Sequence, residues 1–149
     1  MRSMLKTTLL PLSVFCLILF FSCGEEVNAP QDFVSGTITF NDTNLKYIGG
    51  YYAVSLYGDS TNPFTRIPVR SDRLAIGISN GVASSYYKVS GLASGNYYIG
   101  ATWIDSSSGN VSVYGVYGCD TLVNCSNPTR VTVPNFAGTG NLNFRSKTR

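Results

Sequence analysis

The side chains in this sequence that could carry chemistry are ten tyrosines, four cysteines and eight carboxylates, and the chain contains no histidine. Without an imidazole, Ser-His-Asp and Cys-His nucleophile systems are excluded and the commonest zinc ligand is missing. A glycosidase would need two carboxylates roughly 5 to 10 Å apart. The aspartates are scattered through turn-like segments, where Asp commonly forms Asx-turns, so we expect turn formers and a protein that is not an enzyme. They are Asp32, Asp42, Asp59, Asp72, Asp105 and Asp120.

Two short segments offer hard oxygen ligands that suit calcium. They are Asn41-Asp42-Thr43-Asn44 and Asp59-x-x-Asn62. Neither belongs to an EF-hand-type loop that ends in a bidentate Glu. We therefore expect Asx-turns at strand ends, with no metal and no other cofactor.

Tyrosine is the unusual feature of the composition. Three doublets, Tyr51-Tyr52, Tyr86-Tyr87 and Tyr97-Tyr98, each place one ring on either side of a strand, because neighbouring strand residues point to opposite faces. The outward rings could form an aromatic platform for a sugar or a partner protein, or could pair with each other across strands, which we favour. Rings that are buried or divided between opposite faces would exclude the platform. The outward set predicted from this period is Tyr51, Tyr57, Tyr86 and Tyr98.

The N-terminus has the pattern of an export signal. Arg2 and Lys6 precede an uncharged apolar run over residues 9–21. That run is shorter than the roughly 20 residues that a membrane-spanning helix needs, so it predicts a secretory signal peptide over residues 1–22. The helix of that signal would precede a linker over residues 23–32.

The junction Ser22-Cys23 resembles the lipobox of bacterial lipoproteins, in which the Cys is acylated and becomes the new N-terminus. The chain has Phe20 where that family prefers Leu, and plain secretory cleavage is the alternative. Glu25 and Glu26 resemble the surface-export signal of Bacteroidetes-type lipoproteins. The resemblance implies a lipid anchor at Cys23 and an outer-membrane protein of the cell envelope, periplasmic or surface-exposed.

Cys119 and Cys125 bound a short loop near the end of the chain. In an exported protein a local disulfide is the simplest interpretation, because a metal site would want more ligands than two thiols. From Cys23 onward nine basic residues face eight acidic ones. This balance gives no reason to expect a nucleic-acid partner.

Alternating apolar residues predict an all-β, antiparallel sandwich of about seven to nine strands over residues 33–145, with a tail at 146–149. Its centre is residues 86–105, which we interpret as a hairpin, because Gly91 and Gly95 bracket a turn between two alternating arms. Pro68 predicts an edge or an irregular crossing. The other predicted strands are residues 34–40, 51–57, 74–78, 111–117, 130–133 and 142–144.

The pattern Val34-x-Gly-x-Ile38, the segment Tyr87-x-Val-x-Gly-Leu-x-x-Gly-x-Tyr97-x-Ile99 and the closing Val131-x-Val133 resemble the carboxypeptidase-regulatory-like, transthyretin-like (prealbumin-like), Ig-like β-sandwich. In that family Leu92 would fill the core and the Tyr97 hydroxyl would bond back to the turn. The resemblance implies a non-catalytic structural or binding module that contacts carbohydrate or another surface protein. The alternative is an accessory or inhibitor-like subunit of a larger surface complex.

If Cys23 carries the lipid, labelled palmitate should be incorporated into the wild-type chain and lost in Cys23→Ala, because the thiol is the acylated group. Gel fluorography of cells grown with the label measures this. Equal labelling of both proteins would contradict the prediction.

Overall fold

In the computed structural model, the described residues are 32–61, 63–119, 125 and 127–149. The predicted signal peptide, Cys23 and all of the linker except Asp32 lie outside them. No helix among the described residues is long and apolar enough to cross a membrane. A 3₁₀ helix spans Pro63–Thr65. The ten strands are β1 Phe33–Phe40, β2 Gly50–Gly58, β3 Arg70–Arg73, β4 Gly77–Ser79, β5 Val82–Ser90, β6 Gly95–Asp105, β7 Val111–Val116, β8 Val131–Val133, β9 Gly138–Thr139 and β10 Phe144–Ser146.

These strands form two five-stranded sheets, which confirms the predicted all-β sandwich and gives slightly more strands than expected. Sheet A has the order β10-β1-β5-β4, and β9 also pairs with β1. Sheet B has the order β3-β2-β6-β7, and β8 also pairs with β6. Most pairs are antiparallel, but β9 and β10 both run parallel to β1.

The core lies between the sheets and is built from alternate residues of each long strand. In sheet A, Val34, Val89 and Ile38 are fully buried, and in sheet B, Leu56 and Ile99 are fully buried. The next residue along the strand from each of these points to the other face of the sheet, as the period of two requires. The alternation in the sequence therefore identifies the core-facing residues correctly.

The predicted hairpin over residues 86–105 is wrong. β5 pairs with β1 and β4 in sheet A, whereas β6 pairs with β2, β7 and β8 in sheet B. Gly91 and Gly95, both with positive φ, carry the chain from one sheet to the other instead of folding it back on itself. Leu92 packs against the core, and the Tyr97 hydroxyl donates to the Ala93 carbonyl at 2.8 Å, as expected. Alternation specifies which face is buried, but not which strand is the neighbour.

The C-terminal segment is fastened to β1 at Leu142. The Leu142 N–H donates to the Ser35 carbonyl, and the buried Tyr87 hydroxyl donates to the Leu142 carbonyl at 2.7 Å. Gly36 permits this approach, because a Cβ there would overlap the Leu142 backbone. The fastening positions β10 beside β1, and the Lys147 N–H donates to the Tyr114 carbonyl of β7.

The predicted bond between Cys119 and Cys125 is present, with the two Cα atoms 5.7 Å apart. This separation is typical of disulfides. Residues 120–124 of the loop lie outside the described residues.

Gly36→Ala should lower the free energy of unfolding by about 1–3 kcal/mol, the usual effect of an overpacked core. The physical reason is the overlap with the Leu142 backbone, which cannot move without breaking the contacts to Ser35 and Tyr87. Urea denaturation measures the change. Gly77→Ala is the matched control in β4, because a Cβ at Gly77 meets nothing within 4 Å. Equal effects of the two substitutions would contradict the prediction.

Candidate functional site

The structure divides the four predicted outward tyrosines between the two sheets. Tyr51 and Tyr57 lie on β2 and Tyr98 lies on the neighbouring β6, where it is directly opposite Tyr57. Tyr86 lies on β5, in the other sheet. All four side chains point away from the core, as the period of two predicted. The outer faces of the two sheets lie on opposite sides of the sandwich, so Tyr86 is separated from the other three rings. The platform of four rings is therefore wrong.

Tyr57 was predicted to face solvent, and this is also wrong, because its ring is only 1% exposed. Residues 59–61 and 63–69, which we call the strap, lie between β2 and β3, and Phe64 of the strap covers part of the outer face of sheet B. Phe64 of the strap packs edge-on against Tyr57, with ring centroids 5.0 Å apart, and against Tyr98 at 6.2 Å. The local pattern of β2 contains no signal for this cover, because it comes from the following loop.

The other two rings on this face also have partners within the chain. Tyr51 is half-buried, and the Arg73 guanidinium of β3 lies over its ring at 5.1 Å from the centroid. Tyr98 is half-buried against Phe64. On sheet B, the rings that could stack on a ligand therefore already pack against other side chains of the same chain.

Small hydroxyl side chains fill the middle of the same face. The Ser55 hydroxyl lies 2.7 Å from the hydroxyls of both Ser71 and Thr102, and the Thr102 hydroxyl donates to the Ala53 carbonyl. Ser55 and Thr102 are fully buried, so these bonds satisfy groups that would otherwise be costly to bury. Alternation along the strands predicts that this face is open to solvent, whereas the structure buries both hydroxyls.

A groove of about 360 Å³ opens between the strap and the turn that joins β6 to β7. Ile67 is 91% exposed at its rim. The groove is lined by Phe64, Thr65, Arg66, Ile67, Pro68, Gly109, Asn110 and Val111. Its lining contains no carboxylate, so it offers no general base.

Asp42 and Asp105 accept hydrogen bonds in turns, and Asp59 and Asp72 form ion pairs with arginines. Asp105 accepts from the Ser107 hydroxyl and from the Ser107 and Ser108 N–H groups, and these bonds hold the pKa of its carboxyl well below the ordinary value. Asp42 accepts from the Asn44 N–H in an Asx-turn. Within the described part of the chain, no three His, Cys, Asp or Glu residues form a group that could hold a metal ion. Asn62 and Asp120, named above as candidate polar residues, lie outside the described residues.

The outer face of sheet A is the open face of the sandwich. Tyr86 is 66% exposed there, opposite Thr37 of β1. Val82, on the same strand, is 47% exposed, and Ile78 of the adjacent edge strand β4 is 58% exposed. Ile78 lies opposite the buried Ala83, so it is exposed on the other side of the β4–β5 hairpin from Tyr86 and Val82. We call the exposed surface of this hairpin, with these three side chains, the β4–β5 patch. The sequence identified Tyr86, but not that aliphatic side chains accompany it.

Comparison with protein-family models, curated proteins and solved structures found no match to this chain.

Burial under the strap raises the pKa of Tyr57 to about 12 from 10.0, while the Ser55 side chain acts in the opposite direction. The folded state therefore keeps a proton that the unfolded state loses, and the stability that depends on it falls as pH rises from 10 to about 12. Tyr57→Phe should remove up to about 1.4 kcal/mol per pH unit from this alkaline decline. Urea denaturation at several pH values measures it.

Phe64→Ala provides the matching test of the cause. Uncovering the Tyr57 ring should make the alkaline decline shallower while leaving the hydroxyl in place. A decline in Tyr57→Phe as steep as that of the wild-type chain would contradict the assignment.

Proposed function

We propose that the protein is a non-catalytic binding module of the cell envelope, anchored in the outer membrane by a lipid on Cys23. The observation that carries the binding role is the β4–β5 patch, where Tyr86 and Val82 are exposed on the outer face of sheet A and Ile78 is exposed on the other side of the same edge hairpin. Scattered exposed apolar residues are ordinary, but an aromatic with apolar neighbours on one hairpin is typical of a contact surface.

The chemistry of the patch favours a protein partner over a carbohydrate. A sugar platform stacks several rings against pyranose faces, whereas the other candidate rings on sheet B already pack against Phe64 and Arg73. A single exposed tyrosine on an edge hairpin that also exposes aliphatic side chains fits an anchor in a protein interface. The half-buried hydroxyls of Thr37 and Ser84 beside Tyr86 could orient either kind of partner.

The proposal of an envelope location rests on the N-terminal sequence. The Ser22-Cys23 junction after an uncharged run resembles a lipobox, and the disulfide between Cys119 and Cys125 suits an oxidising compartment. The motifs that resemble transthyretin-like sandwiches also support a module that holds or presents a partner. The membrane would be contacted through the lipid.

An accessory or inhibitor-like subunit of a larger surface complex is the second candidate. The edge strand β4 favours it, because all three of its residues, Gly77–Ser79, are exposed. An edge strand offers unpaired backbone groups to a strand from another protein. In that arrangement the partner would extend sheet A beyond β4.

Tyr86→Ala should reduce capture of the native partner about tenfold or more, as truncation of an interface anchor does. Mild cross-linking in intact cells, followed by purification and mass spectrometry, measures the yield. Tyr51→Ala, on the strap-covered side of the sandwich, is the matched control and should retain the partner. A glycan array run in parallel separates the two ligand classes.

Sugar binding that is lost in Tyr86→Ala would move the assignment to carbohydrate. Equal partner capture by wild type, Tyr86→Ala and Tyr51→Ala would contradict the proposed contact surface. Turnover of a polysaccharide or peptide that one Asp substitution abolishes would overturn the non-enzyme assignment.

A further inference from the structure

At one end of the sandwich, an arginine lies against a cluster of aromatic rings. The Arg149 guanidinium lies over the Trp103 ring, 4.6 Å from its centroid, and its Nη1 group donates to the Ile48 carbonyl at 3.1 Å. The backbone N–H of Arg149 donates to the Tyr52 hydroxyl at 2.8 Å. The fold therefore contacts both the side chain and the main chain of this residue.

Three rings of this aromatic cluster, Trp103, Tyr52 and Phe40, belong to the hydrophobic core. Trp103 is 3% exposed and packs edge-on against Tyr52, with ring centroids 5.0 Å apart. Tyr52 in turn packs edge-on against Tyr47 and Phe40. Gly50 leaves room for the indole, because a Cβ there would lie 2.8 Å from two indole carbons. The Trp face is thus fixed before any cation reaches it.

The contacts of Arg149 are those of a recognised cation and not of an ion pair. The two salt bridges among the described residues join Arg70 to Asp72 and Arg130 to Asp59, and Arg149 takes part in neither. Its charge is met by the π face of an indole, which is the best aromatic partner for a cation, and by a backbone carbonyl. The Nε1 group of the buried Trp103 has no hydrogen-bond partner among the described residues, and the ring face of this indole contacts the Arg149 guanidinium.

A cavity of about 410 Å³ adjoins the guanidinium and is lined by Leu45, Lys46, Tyr47, Ile48 and Arg149. This space could hold residues on either side of an incoming arginine. The tail that now fills the site is held by few other bonds: the Thr148 hydroxyl donates to Asp42, and the Lys147 N–H donates to the Tyr114 carbonyl. The Thr148 bond is exposed to solvent, and the Lys147 bond precedes the two residues that fill the site.

We propose that this end of the sandwich is a recognition site for an arginine residue of another polypeptide, and that Arg149 occupies it from within the same chain. The tail is then a built-in competitor. An attached ligand acts at an effective concentration in the millimolar range, so a partner must bind more tightly than the tail or meet a chain whose tail has been displaced. The site is formed by Tyr52 of β2, Trp103 of β6 and loop 41–49, apart from the β4–β5 patch, and does not depend on the function proposed above.

The test removes residues 148–149 and supplies the missing contacts as a peptide. Trp103 is the single tryptophan of the chain, so its fluorescence reports this site alone. Acetyl-Thr-Arg-amide should produce a saturable fluorescence change in the shortened chain, and a change at least about tenfold weaker in the full chain, where Arg149 competes. The same peptide with citrulline, which is neutral and nearly isosteric, should bind roughly twofold to thirtyfold less tightly, the range of a cation–π contact.

Arg145→Ala in the full chain is the matched control, because Arg145 is an exposed arginine of the neighbouring strand β10 and should leave the Trp103 signal unchanged. If removal of two residues prevents folding, Arg149→Ala in the full-length chain replaces it, with acetyl-arginine-amide as the probe. A folded variant that shows no saturable response, or one that binds the citrulline and arginine peptides equally, would overturn the proposal and leave Arg149 as a structural cover of the core.

Discussion

The buried hydrogen bond from the Tyr87 hydroxyl to the Leu142 carbonyl is the contact on which the C-terminal part of the sandwich depends. Burial raises the pKa of Tyr87, so the hydroxyl stays protonated and remains a donor. Without it a buried carbonyl would lose its partner, which costs more than an ordinary hydrogen bond contributes. With it, and with Gly36 leaving space, the chain runs beside β1, closes the sandwich against β7 and ends where Arg149 meets Trp103.

Within the described residues, the two outer faces of the sandwich differ in how far other parts of the chain cover them. On sheet B, Phe64 of the strap covers Tyr57 and approaches the position of Gly100, and the hydroxyls of Ser55 and Thr102 satisfy each other beneath it. That face resembles a second, smaller core. On sheet A, Tyr86 remains exposed. The surfaces that we propose for partners are the β4–β5 patch and the end of the sandwich where Arg149 contacts Trp103.

The sequence correctly predicted which way the tyrosine side chains point, but it did not predict which residues cover them. The period of two correctly predicted that four tyrosines point away from the core, namely Tyr51, Tyr57, Tyr86 and Tyr98. Successive side chains of a strand point to opposite faces regardless of which strands lie beside it. The period could not show that Phe64 covers Tyr57 or that Tyr86 belongs to the other sheet. It also passed over Trp103 and Arg149, which are 46 positions apart in the printed sequence and meet only after both sheets have formed.

The amino-acid sequence by itself determined the all-β class, the core-facing residues of the long strands and the pairing of Cys119 with Cys125, because these follow from local alternation, turn residues and short spacing. Only the tertiary structure decided that residues 86–105 serve two sheets, and that β9 and β10 run parallel to β1. The physical reason is that two consecutive strands bury the same alternate residues whether they pair as a hairpin or lie in opposite sheets. Long-range contacts such as that between Tyr87 and Leu142 select between them.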